Sequence, residues 1–199
     1  MDKIESWRNQ TLINRINSDS QILVEYYSLI NFIKESYTQG RYEAIQSPCL
    51  HLISHSIELF YKVVLERAVD LNCLKLEKNK FIHEHDITKL RDQTFELFNF
   101  FASQKSCSDT DLAYFTKEFK DLHNDFCEKI QTKTATYRYA LKRNYQGNVI
   151  GKAIPFEQDK ESPNMLDVYE TYDKVYASLA YTDFILDFFE IEVNIAYAN

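Results

Sequence analysis

Three glycines and three prolines in 199 residues constrain this chain more than any other feature. Sandwiches, barrels and doubly wound sheets must turn about every ten residues, and tight turns are built from Gly and Pro. A bundle of a few long helices turns far less often. The same shortage excludes phosphate-cradling loops, because no Gly-rich run exists from which a P-loop or a dinucleotide fingerprint could form. With 45% hydrophobic and 27% charged residues, the chain is ordinary for one globular domain and long enough to bury a core. The fold expected is all-α: a single-domain helical bundle of about five to six helices, spanning residues 1–199.

Apolar residues recur at steps of three and four almost throughout, the signature of helices with one buried face. Met1 to about Asn17 forms a short amphipathic helix in this reading, through Ile4, Trp7, Leu12 and Ile13. A second helix runs from about Ser18 to Gln39, with Gly40 as its stop. The third, about Ser47 to Asp70, is the most apolar. Ser47-Pro48 reads as a cap followed by Pro in the first helical position, or the helix starts near Tyr42 and kinks at Pro48. A polar connector, Asn72 to His85, leads to Asp86, which caps a helix to about Gln104. Ser108 opens the next helix, whose stripe is Leu112, Phe115, Phe119, Leu122, Phe126 and Ile130. Ser162-Pro163 starts the last, running to about Glu190.

The segment between the last two helices differs. From Lys129 to Phe156 there is no acidic residue but there are six cations, so a chain of net charge −7 carries −13 elsewhere. Gly147 and Gly151 lie here as well. A basic insertion of about 131–161 is expected, a loop or a short hairpin around Asn144 to Asn148. The four cysteines (Cys49, Cys73, Cys107, Cys127) have no paired spacing for a zinc knuckle or redox dithiol. The charged start Met1-Asp2-Lys3-Ile4-Glu5 has no apolar run behind it, and no stretch matches a membrane span. A reduced, cytoplasmic protein is the expectation.

Two groups of residues carry chemistry. On the third helix, His51, His55, Glu58 and Lys62 are spaced four, three and four apart, within about a 60° sector at 100° per residue. Apolar residues occupy the rest of that helix. Such a stripe lines a pocket or interface, or else forms a satisfied network in which Glu58 pairs with Lys62 or an arginine, since an unpaired buried polar group is costly. No metal is expected: His51 and His55 have the four-residue spacing of a chelating pair, but Leu52 replaces the Glu of a metalloprotease helix, and no acid stands three residues before any histidine. Cys49 and His51, two apart on a helix, point away from each other.

The second group is the basic segment. Tyr137-Arg138-Tyr139, Lys142, Arg143 and Tyr145 interleave cations with rings, the combination that grips single-stranded RNA through phosphates and stacked bases. Arg138, Tyr139, Lys142 and Arg143 are the RNA-binding candidates. The chain's pI of about 5.3 argues against it, since most nucleic-acid binders are basic. The segment would then dock on the protein's own acidic surface or on a second subunit.

These residues resemble the HEPN-like α-helical domains. The run from His51 to Lys62 is similar to their central helix, in which a Glu is followed four residues on by a Lys. His85-Asp86-Ile87 resembles the His-Asp-Leu that starts their next helix. Arg138-Tyr139 resembles an Arg-Tyr-Pro element, with Ala140 in place of the Pro. The likeness covers about residues 20–190. It implies a helical bundle that dimerises, in bacterial toxin–antitoxin or antiviral defence systems, often acting on RNA. The RNA-cleaving members carry a His four to six residues after an Arg, and none of the seven arginines here has one. The function expected is therefore a non-catalytic, dimeric binding protein, with RNA or a nucleotide as ligand and no cofactor. The alternative is a metal-independent ribonuclease with a rearranged site, in which Arg138 supplies the cation and His51, His55 or His123 moves the proton.

Overall fold

The most apolar stretch of the chain becomes the centre of the molecule. The structure is a computed structural model and describes residues 21–38, 46–104, 109–130, 141–143, 149–152 and 164–198. Helix α1 (Gln21–Thr38) packs on α2 (Gln46–Asp70), and a single turn, α3 (Asn79–Ile82), interrupts the connector before α4 (Ile87–Ser103). Helix α5 (Asp109–Ala113), a π-helical turn (Tyr114–Glu118) and α6 (Phe119–Lys129) follow without a break. A ribbon of β1 (Leu141–Arg143) and β2 (Val149–Lys152) precedes α7 (Met165–Ala198).

Helix α2 lies between α1, α4 and α7, and α7 packs along α6 as well. Leu50, Ile53, Ile57, Tyr61, Val64 and Leu65 are wholly buried along α2, so its apolar surface meets neighbours on several sides. Helix α7, about 50 Å long at 1.5 Å per residue, buries Val168, Tyr172, Val175, Tyr176, Leu179 and Leu186 in the same core. Polar ties fix the register of this layer: Ser56 Oγ lies 3.1 Å from the Tyr172 hydroxyl, and the Lys34 ammonium donates to Asp173 at 2.7 Å. The fold is thus a bundle of helices around one continuous core, as periodicity predicts. Among the described residues no helix is long and apolar enough to cross a membrane.

Local sequence explains how the helices stop and start. Helix α2 ends in a Schellman motif: Asn72 takes a left-handed φ of 57°, the Cys73 N–H donates to Ala68 C=O at 2.8 Å, and the Asn72 N–H to Val69 C=O at 3.0 Å. A chain with three glycines uses Asn, the next most tolerant residue, at this position. Asp86 caps α4 as expected, its carboxylate accepting from the Thr88 N–H at 3.1 Å. Helix α2 is described from Gln46 onward, and Pro48 lies within it. The start of α7 at Met165 is capped by Asn164, whose side chain accepts from the Leu166 N–H at 3.1 Å, and α7 continues eight residues past the expected end at Glu190.

The π turn was not anticipated. It inserts one residue's worth of extra winding into the helix expected to be most regular. Of the loop or short hairpin expected here, a ribbon is found: β1 pairs antiparallel with β2, Leu141 opposite Lys152 and Lys142 opposite Gly151, with an irregularity between Lys142 and Arg143. The helix expected over 1–17, Ser18, the stop at Gly40, the early start near Tyr42, Ser108, Cys107 and Ser162-Pro163 lie outside the described residues.

Candidate functional site

The polar stripe of α2 converges on one carboxylate. Glu58 is 1% exposed, and its Oε1 accepts from the Lys62 ammonium at 2.8 Å. A residue from outside the helix reaches the same oxygen: His85 Nδ1, also at 2.8 Å. His55 Nδ1 lies 3.8 Å from the other oxygen, Oε2. His51 stacks on His55 with ring centres 5.8 Å apart and planes 14° from parallel. Tyr26 of α1 adds its edge to His55 at 5.5 Å. The four stripe residues are therefore brought together, as their spacing predicts, and α1 and the connector complete the group.

Exposure grades outward from the carboxylate. The Lys62 and His55 side chains are 15% and 18% exposed, whereas His85 is 58% exposed. A buried carboxylate is tolerable only when paired, and Lys62 supplies the opposite charge. With the ammonium beside it the carboxylate is ionised and can only accept, so the proton shared with His85 belongs to Nδ1 of the ring. The ring's Nδ1–H is thereby turned toward Glu58. The connector holds His85 in place: Glu84 Oε1 accepts from the backbone N–H of His85 at 3.0 Å and of Asp86 at 2.9 Å. Helix α4, capped by Asp86, anchors the far end of that segment. Sequence reasoning noticed His85 only as part of a motif. The signal that could have found it is the buried glutamate, which needs more than one donor.

His123 has a different fate. The sequence allows it to face a pocket or solvent from the edge of its helix; it is in fact wholly buried, and both ring nitrogens are engaged. Ser178 Oγ donates to Val175 C=O at 2.8 Å, so its hydrogen is spent and it accepts from His123 Nε2–H at 2.5 Å. His123 Nδ1 is then the acceptor for the Tyr61 hydroxyl at 2.7 Å. Phe98 meets the ring edge-on, and Phe95 and Phe119 also lie against it. Burial, with the Arg91 guanidinium nearby, pushes the imidazole down to about 3. A neutral ring sealed from water, with both nitrogens occupied, cannot exchange a proton with a ligand, which removes His123 from the catalytic candidates.

The remaining candidates divide by location. Arg138 and Tyr139 lie outside the described residues, while Lys142 and Arg143 lie on β1 of the ribbon. Cys49, Cys73 and Cys127 are free and buried, and burial pushes the Cys73 and Cys127 thiols up to about 11, the wrong direction for nucleophiles. Among the described residues no group of three or more His, Cys, Asp or Glu side chains is arranged to hold a metal ion. Arg67 of α2 is not part of the stripe; it forks onto α7, reaching Asp183 at 2.6 Å, Asp187, and Glu190 at 3.2 Å. That clamp joins two helices and neutralises part of an acidic row. No family model matches this chain, and no match was found to a curated protein or to a solved structure.

Proposed function

We propose that this chain is a binding and interaction protein whose α2 cluster holds a phosphate-bearing ligand, RNA or a nucleotide. One observation carries the reading: an ammonium of α2 and an exposed imidazole from the connector are both seated on the buried Glu58 carboxylate. Lys62 keeps two further N–H donors for an anion. The basic run from Lys129 to Lys152, with Arg138, Tyr139, Lys142 and Arg143, supplies the charge a nucleic acid would follow. The resemblance to HEPN-like domains supports the rest: a homodimer in the bacterial cytoplasm, serving a toxin–antitoxin or antiviral defence system. Free cysteines suit a reducing compartment.

The alternative, a metal-independent ribonuclease, is favoured by the same Glu58–His85 pair, because a carboxylate that fixes an imidazole's tautomer is how a general base is prepared. His85 with Lys62, rather than His123, would then serve, with Arg138 as a further cation. A native gel with labelled single-stranded RNA in EDTA separates the two. Wild type, Lys62→Met and Arg138→Ala are compared for shift and for cleavage. A salt-sensitive shift without cleavage, weakened in both variants, is the expected result. Cleavage by wild type would replace it with the ribonuclease; neither shift nor cleavage would remove RNA from the account.

A further inference from the structure

We infer that the outward face of α1 is a docking surface, and that its occupant is the chain's own N-terminal segment, residues 1–17, returning along Ile22, Leu29 and Phe32.

Helix α1 is apolar on two sides. Leu23 and Ile30, each 1% exposed, face the core. Ile22, Leu29 and Phe32 do not: they are 50%, 46% and 64% exposed, three of the six large apolar side chains that stand exposed among the described residues. At 100° per residue they share a sector of about 80°. They therefore form one ridge rather than scattered single residues, and an apolar ridge of this kind marks a contact surface. Glu25 stands in the same sector, exposed, and accepts from the Gln21 side chain at 3.1 Å. The one cation of α1, Lys34, is spent on Asp173 of α7 at 2.7 Å. The ridge thus suits a partner that is apolar and brings positive charge of its own.

The segment that precedes α1 meets that description. Residues 1–17 hold Ile4, Trp7, Leu12, Ile13 and Ile16, together with Arg8 and Arg15. Only Ser18-Asp19-Ser20 separates them from the start of α1 at Gln21. Three residues suffice to reverse the chain between antiparallel helices. Counted in both directions from that connection, Ile16 comes level with Ile22, Arg15 with Glu25 and Trp7 with Phe32. So short a tether also holds the segment at an effective concentration on the order of millimolar, which favours it over a second copy of the chain as the occupant.

Trp7 is the chain's single tryptophan, so its fluorescence reports on this segment alone. The test records the emission maximum and acrylamide quenching of the whole chain over a dilution series, with and without urea, for wild type and for the double variant Leu29→Asp/Phe32→Asp. Both substituted positions are exposed, so the variant is expected to keep the core and the far-ultraviolet helix signal of wild type. Wild-type Trp7 is expected to emit to the blue of the urea-unfolded chain and to be quenched less steeply, equally at every protein concentration. In the double variant both differences are expected to vanish. Wild-type emission and quenching equal to those of the unfolded chain would overturn the assignment, as would a blue shift that survives the double substitution. Protection that fades on dilution would overturn it too, by giving the ridge to a second copy.

Discussion

The buried His123 makes a quantitative prediction about acid sensitivity. In the unfolded chain an imidazole titrates at about 6.5. In the folded protein it is pushed down to about 3, chiefly by burial and secondarily by Arg91. Between those two values the unfolded state takes up a proton that the folded state refuses. Stability therefore rises with pH across this window; its contribution is complete above the unfolded value and is lost as pH falls toward the folded one. Each pH unit below about 6.5 costs about 1.4 kcal/mol, so at pH 4.5 the loss from this residue is about 2.7 kcal/mol. Paired carboxylates such as Glu84 and Glu170, both held below the usual range by Lys partners, add their own acid slope. A reference is needed to subtract them. Tyr61→Phe/His123→Phe removes both ends of the hydrogen bond, which costs little when the shapes match, while Ser178 keeps its bond to Val175 C=O. Urea unfolding of both proteins is measured at pH 7.5, 6.5, 5.5 and 4.5. The stability difference between them is expected to shift by about 1.4 kcal/mol per unit below pH 6.5, in the variant's favour. Parallel pH profiles would refute the sealed, neutral state of His123.

Other perturbations follow from the same contacts. Lys62→Met takes the ammonium away from the buried Glu58 carboxylate, and denaturant unfolding at pH 8 is expected to show a loss of about 2 kcal/mol or more, as for one-sided removal of a buried pair. Asp86→Ala removes the α4 cap and should cost about 1 kcal/mol, read as a lower urea midpoint with unchanged slope. Phe98→Ala empties the centre of the Phe115, Phe119 and His123 ring cluster, and is expected to lose about 3–5 kcal/mol in the same assay, whereas Phe188→Ser, more than half exposed, should stay within about 0.5 kcal/mol.

How much of this was legible beforehand depends on the range of the interaction. The spacing of His51, His55, Glu58 and Lys62 is a property of one helix, and those side chains do gather as the 3.6-residue period demands. Asp86 caps α4 because a cap needs only the next few residues. The pairing of β1 with β2 falls where turn residues in the acid-free segment allow a loop or a short hairpin. The errors occur where a local rule meets packing. The apolar stripe marks Leu122 for the core and His123 for its edge; packing leaves Leu122 partly exposed and buries His123, because Tyr61 and Ser178 satisfy its nitrogens. The π turn at Tyr114–Glu118 left no trace in the three-four spacing, since one added residue in a turn preserves the pattern on either side.

The sequence by itself therefore determined the fold class, the helix that would lie at the centre, and which polar residues share its face. All three follow from backbone periodicity and from turn chemistry acting over four residues or fewer. Only the tertiary structure decided which polar group stays open to solvent and which is sealed. Glu58 meets His85 across 27 residues, and His123 meets Tyr61 across 62 and Ser178 across 55. Contacts at that separation are set by how helices pack, and packing selects partners by shape and by the need to satisfy every buried donor and acceptor, neither of which leaves a periodic mark in the chain.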